Sequence, residues 1–410
     1  MAGEWIDTTL GEVLTLKRGY DLPTPSRQPG PYPVVSSSGV TGSHREAKVK
    51  GPGVVTGRYG TLGEVHYLVE DFWPLNTTLY VKDFKGSDPR FISYFLRSLD
   101  FLAYSDKSSV PGLNRNHLHL ARIRVPLDIQ EQRAIANFLG AFDDKIELNA
   151  RTNSTLEAIA QALFNAWFVD FGPVKAKAID AGGFGGVPSD VFESLPAVFS
   201  ESEIGPIPAG WKVAEIGDIA ALSRDSLNPA GHPTEVFEHF SIPAFDSGPS
   251  PASDLGASIK SSKYILPPNS VLVSKLNPRI ARTWLPSPAQ QGRRQIASTE
   301  FLVTLPRPGW SRWYLYCQFA NGRFREELRQ KVTGTSSSHQ RVSPKDFERT
   351  LIVAPPQEVR DAFVRIVEPL FLRVASNRAE SSLLAEARDA MLPRLLSGAI
   401  RAPSVEGGQH

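Results

Sequence analysis

Apolar positions along this chain follow two patterns, and each pattern occurs twice. Short β-type runs broken by glycine and proline come first, at Pro33-Val34-Val35, Val54-Val55-Thr56 and Thr78-Leu79-Tyr80-Val81, with a helical stretch from Phe91 to Leu102 after them. Ser270-Val271-Leu272-Val273 and Phe301-Leu302-Val303-Thr304, followed by a helix from Trp313 to Lys331, repeat that arrangement further along. Each set reads as a compact α+β module.

The second pattern has a period of seven. Ile135, Phe142, Asn149, Leu156 and Leu163 recur at that spacing, with Phe138, Ile159 and Ala166 three positions on. Phe363, Leu370, Asn377, Leu384 and Met391 repeat the series 228 positions later. Sustained heptads predict two long helices that pair as an antiparallel coiled coil. Asp128 with Glu131 reads as a capping box, and Gly172-Pro173 and Gly398 as stops. Each helix is then roughly 38 residues, or roughly 57 Å, long. In an antiparallel pair Asn149 and Asn377 meet near the middle and fix the register, or else they are unrelated polar breaks in the stripe. Arg373 and Glu380 interrupt the second stripe.

Other landmarks confirm the duplication. Trp5, Leu10, Gly11, Glu12 and Val13 return as Trp211, Ile216, Gly217, Asp218 and Ile219, 206 positions on. Pro126-Leu127-Asp128-Ile129-Gln130-Glu131-Gln132-Arg133 is echoed by Pro355-Pro356-Gln357-Glu358-Val359-Arg360. The spacing difference gives the second copy about 22 more residues between its landmarks, and constant ends around a variable middle describe one module used twice for different tasks. The organisation expected is a first module over 1–126, a helix over 127–171, an acidic Gly/Pro-rich linker over 172–207, a second module over 208–353, a helix over 354–400 and a disordered tail over 401–410. The linker's Gly182-Gly183-Phe184-Gly185-Gly186 is no phosphate loop, because no GxxxxGK[ST] follows it.

A single cysteine, Cys317, excludes a disulfide framework and fits a reducing compartment, and no run of 18 apolar residues occurs. A soluble, cytoplasmic protein is expected. The net charge of +2 conceals a strong asymmetry. From Lys260 to Lys345 there are 15 Lys or Arg against Glu300, Glu326 and Glu327, whereas Ile179 to Asp218 is acidic. Such an excess points to a polyanion, or to an acidic neighbouring surface.

Catalytic signatures are missing. There is no HExxH, GxSxG, CxxC or Walker loop, and no Asn/Asp-Pro-Pro-Tyr/Phe run. Asp21, Glu46 and Lys48 form the nearest nuclease-like set, which would have to gather round a metal. His117 and His119 have no ligand spacing beyond their adjacency, and no metal site is expected.

What remains is a basic, polar surface. The Lys107-to-His117 stretch carries Lys107, Asn114, Arg115 and His117, and the stretch from Lys331 to Arg341 carries Ser336, His339, Gln340 and Arg341, each just before its module's closing strand. Arginine and asparagine pair bidentately with guanine and adenine edges, and lysine meets phosphate. Further candidates are Lys17, Arg18, Arg45, Lys48, Lys50, Arg58 and Tyr59 in the first module. In the second they are Lys260, Lys263, Lys275, Asn277, Arg279, Arg282, Arg293, Arg294 and Gln295.

The Trp5 and Trp211 openings, the two Pro-led closings with their long helices, and Gly205-Pro206-Ile207-Pro208-Ala209-Gly210-Trp211 together resemble the DNA-specificity subunit of type I restriction-modification enzymes, over almost the whole chain. The resemblance implies two target recognition domains and two spacer helices, with no catalysis in this chain. It implies double-stranded DNA read as two separated half-sites, with the helices as ruler and as dock for two methyltransferase (modification) subunits. Those partners bind S-adenosylmethionine and flip adenine; a restriction/translocase subunit adds ATP with Mg2+. Val359, where the first copy has Gln132, departs from the plainest pattern. Two other readings stay open: a stand-alone metal-dependent nuclease, and a coiled-coil scaffold that binds DNA without sequence preference.

Overall fold

The computed structural model describes residues 4–105, 112–248, 250–290, 292–332 and 340–403. Two compact units emerge, one made of residues 1–148 with 380–410 and the other of 149–379.

The first unit contains β1 (Trp5–Thr9), β2 (Thr15–Arg18), β3 (Tyr32–Ser36), β4 (Gly39–His44), β5 (Gly53–Gly57), β6 (Val65–Leu68), β7 (Trp73–Pro74), β8 (Thr78–Asp83) and β9 (Arg122–Pro126). They form an antiparallel β1–β9 pair with Trp5 opposite Pro126, a four-stranded sheet in the order β2-β8-β5-β6, and a three-stranded sheet β4-β3-β7. Central β5 is buried along its whole length, as its unbroken small and apolar run requires. The helix Pro89–Arg97 starts where the Asp88 carboxylate accepts from the Phe91 N–H at 2.9 Å, and it buries Phe91, Ile92, Tyr94, Phe95 and Leu96. It stops short of Leu102, because Asp100 caps a separate 3₁₀ turn over Phe101–Tyr104.

The second unit contains β10 (Phe199–Ser200), β11 (Ile207–Pro208), β12 (Lys212–Glu215), β13 (Ala220–Ser223), β14 (Ser226–Leu227), β15 (Val236–Phe240), β16 (Ala252–Leu255), β17 (Lys263–Ile265), β18 (Val271–Ser274), β19 (Thr283–Trp284), β20 (Arg294–Ala297), β21 (Phe301–Pro306) and β22 (Leu351–Ala354). Its β12–β22 pair and its β13-β21-β18-β19 sheet copy β1–β9 and β2-β8-β5-β6. The parallel contact of β3 with β7 returns as that of β15 with β20. The copies diverge in the remaining sheet, where the order β14-β17-β20-β15-β16 adds two strands beyond the β20 edge. These strands, of two and three residues, account for a small part of the extra length seen in the sequence. The helix expected from Trp313 to Lys331 is broken at Asn321, whose amide caps a new helix by accepting from the Phe324 N–H at 2.8 Å.

The two long helices span Ile129–Phe164 and Gln357–Leu396, about 54 and 60 Å at 1.5 Å per residue. Asp128 accepts from the Gln130 N–H at 2.8 Å at the first start, and Gly398 (φ +72°) follows the second end in the left-handed conformation that glycine tolerates. In the second unit, Asn149 and Asn153 face Asn377 while Phe164 and Trp167 face Phe363. In the first, Asp143 meets Arg388, and Ile135 and Leu139 share a core with Leu395 and Leu396. Pairing is antiparallel in both.

The seam differs from the sequence expectation in its second position. Leu139, Ala160 and Trp167, four residues after the heptad positions, are buried, whereas Ile159 is 44% exposed. Ile135, Asn149, Phe363 and Asn377 are buried; Phe142, Leu156, Leu163, Leu370, Leu384 and Met391 are partly so. Arg373 is exposed and Glu380 pairs with Lys145 at 3.2 Å, so neither breaks the apolar face. The acidic connector is also more ordered than its composition suggests. Helices Gly172–Ala178 and Ser189–Ser194 and the β10–β11 pair sink Val174, Val191, Phe192, Leu195 and Ile207 into the second unit's main core. Most of the 401–410 tail lies outside the described residues.

Candidate nucleic-acid interface

In the first unit, basic and aromatic side chains gather around the parallel β3–β7 contact. The Lys17 ammonium donates to the Tyr20 hydroxyl at 3.3 Å, and that hydroxyl lies 3.0 Å from the Tyr80 hydroxyl. The Tyr80 hydrogen bond and Lys17 hold the Tyr20 phenol below its ordinary pKa, while burial pushes the Tyr80 phenol up. Lys48 sits 4.8 Å over the Trp73 ring, which meets Tyr20 and His44 edge-on. This arrangement fixes two cationic heads and leaves them able to take phosphate. Tyr20, Trp73 and Tyr80 were not singled out from sequence; aromatics interleaved with Lys17, Arg18 and Lys48 are the signal that could have found them.

Arg58 stacks on Tyr59 at 4.5 Å, and the Tyr59 ring lies against Gly112. The Leu113 N–H donates to the Arg58 carbonyl at 3.0 Å, which ties this loop after β5 to the segment bearing Asn114, Arg115 and His117. Arg115 and His117 are exposed, whereas Asn114 uses its amide oxygen to cap Asn116. The second unit repeats the attachment after β18: the Asn277 N–H donates to the Gln340 carbonyl at 2.8 Å and the Val342 N–H to the Lys275 carbonyl at 3.0 Å. The candidate segments before the closing strands thus occupy equivalent places. Lys107, Ser336 and His339 lie outside the described residues.

Several second-unit candidates are held by acids. Arg282 makes two 2.7 Å bonds to Asp246, Arg294 grips Glu235 from Nε at 2.6 Å, and Arg341 grips Glu300 from Nε at 3.0 Å. Gln295 donates to Glu238 at 2.7 Å, and Lys263 is buried with its ammonium on Ser261 at 2.6 Å. These side chains build the sheet's polar framework. Arg18, Arg45, Lys48, Lys50, Lys260 and Arg279 are exposed, and Arg293 is partly exposed with one bond to Ser253 at 2.9 Å.

Each member of the nuclease-like set has another partner. Asp21 accepts from Asn76, Glu46 pairs with Arg45 at 3.5 Å, and Lys48 covers Trp73. Among the described residues, no three His, Cys, Asp or Glu side chains are placed to hold a metal. His119 accepts from the Leu16 N–H at 2.9 Å, and burial pushes its pKa down, so it is a neutral structural group. No described helix is long and apolar enough to cross a membrane.

Residues 2–158 match the family model described as the type I restriction modification DNA specificity domain. The chain is 28% identical over 311 residues to the type I restriction enzyme MjaIX specificity subunit of Methanocaldococcus jannaschii, covering 72% of this chain and 65% of that protein. The HindI specificity subunit of Haemophilus influenzae is 26% identical over 349 residues, 73% of each. The match thus spans a little under two thirds of the M. jannaschii relative. The type I restriction-modification S subunit from M. genitalium shares the fold, with a TM-score of 0.56 at 15% identity over 96% of both chains.

Proposed function

We infer that this chain is a DNA-specificity subunit of a type I restriction-modification system, and that each module reads one half of a split, asymmetric target in double-stranded DNA. The observation that carries this reading is the form of the duplication. Both copies keep the closing strand pair, the four-stranded sheet and the loop attachment before the closing strand, while the second sheet and its polar side chains differ. A shared frame with two dissimilar polar surfaces suits recognition of two dissimilar base sequences.

The chain itself carries out no covalent step. The paired helices set the gap between half-sites and dock two methyltransferase subunits, which bring S-adenosylmethionine; a restriction/translocase subunit brings ATP with Mg2+. Exposed lysines and arginines meet phosphates, and base edges fall to the loops around Arg58, Arg115, Asn277 and Gln340.

Methylation mapping of DNA from cells expressing this chain with its neighbouring methyltransferase tests the reading. Two short blocks around a fixed gap are expected, and exchange of residues 1–126 for another module should change one block only. Absence of any new motif with a competent partner refutes it.

A further inference from the structure

The second unit holds a cavity of about 410 Å³ between the loop before β18 and the start of the helix Arg312–Ala320, walled by Pro268, Pro286 and Pro288 and lined by Arg293, Arg294 and Arg312. Among the described residues that line it, none is acidic. Arg294 is neutralised from outside the cavity by Glu235, but Arg312 is not. Its one hydrogen bond among the described residues goes from Nη2 to the Pro286 carbonyl at 2.5 Å, its guanidinium lies 4.7 Å from the Trp313 ring, and its Nε is buried with no acceptor. Burial pushes its pKa down to about 10. A partly buried guanidinium without a carboxylate costs stability. That cost suits a residue kept for an anion, because the N–H donors left on its two terminal nitrogens can meet phosphate oxygens.

We propose that this cavity is an oxyanion site in which Arg312, with Arg293, receives one phosphate group. Arg293 spends one donor on Ser253 and keeps the others. The phosphate is either a diester of the bound duplex or a free phosphate. The duplex source rests on the DNA reading above; the free source does not.

The test uses the full chain as wild type, Arg312→Gln and Arg312→Lys. Thermal unfolding in chloride buffer is compared with and without inorganic phosphate, and duplex binding is titrated with salt. Phosphate should raise the Tm of wild type and leave that of Arg312→Gln unmoved, with Arg312→Lys between them. If the source is the duplex, Arg312→Gln also lowers the slope of log affinity against log salt by about one while the recognised motif stays the same. Loss of the phosphate effect with an unchanged slope assigns the site to a free oxyanion. No phosphate effect on wild type together with an unchanged slope overturns the proposal. A wild-type chain with no sequence preference defeats the DNA reading and leaves the phosphate arm standing. Should Arg312→Gln fail to fold, Arg293→Gln on the loop before β20 carries the same comparisons.

Discussion

Asp143, on the first long helix, joins three elements of the first unit. Its Oδ2 accepts from the Tyr94 hydroxyl at 2.5 Å and from Arg97 at 3.2 Å, and its Oδ1 accepts from Arg388 on the second long helix. Burial alone would raise its pKa, but Tyr94 and Arg388, helped by Arg97, outweigh it and hold the carboxyl below its usual range. Asp143→Asn would take the counter-charge from Arg97 and leave Arg388 with only the exposed Asp389, 2.7 Å away. Breaking a fully buried pair costs about 3–5 kcal/mol; with the side chains of Asp143 and Arg388 still 25% and 22% exposed, about 2–3 kcal/mol is expected. For a unit of this size, that lowers Tm by about 4–12 °C at neutral pH. Because the native pKa lies below the unfolded one, the contribution is full above the unfolded value and is lost as pH falls through the native value. Thermal unfolding followed by circular dichroism, for wild type, Asp143→Asn, Arg388→Gln and the double variant, checks this. The double variant should lose less than the sum of the two. Additive losses, or a Tm difference that persists undiminished in acid, would refute the reasoning.

Phe363→Ala, which empties a fully buried site ringed by Phe164, Trp167, Phe168 and Tyr314, should cost about 3–5 kcal/mol in urea unfolding. Asn377→Leu removes the 2.8 Å bond to Asn153 but adds apolar contact, so its cost should stay below about 1 kcal/mol while association of separate chains increases, as read by analytical ultracentrifugation. Lys17→Ala and Lys48→Ala should each weaken duplex binding evenly across sequences and lower the salt slope by about one, in anisotropy titrations of the assembled complex.

The duplication, the two long helices and their antiparallel pairing were legible because they rest on periodicity and constant spacing. The second seam position was not. Phe138 and Ile159 are bulkier than their neighbours Leu139 and Ala160, and Asn153 interrupts the row that packs inward, so side-chain size pointed to the wrong row. Composition hid the folding of the 172–207 segment, where a few apolar residues among glycine and proline suffice to anchor it. For the interface, residue type found the exposed cations but could not tell them from framework arginines. The acids that hold Arg282, Arg294 and Arg341 lie 36, 59 and 41 positions away. Only the folded sheet reveals those pairs.

The first unit draws on both ends of the described chain, with Asp143 meeting Arg388 across 245 positions and Ile135 sharing its core with Leu395. During synthesis, the last part of that core, Leu395 and Leu396, can join only after the second long helix has left the ribosome. The second unit, drawn from one continuous stretch, can close before that. A stop before residue 380 would therefore strip the first unit of the apolar cover that Leu395 and Leu396 supply, while leaving the second unit's stretch complete.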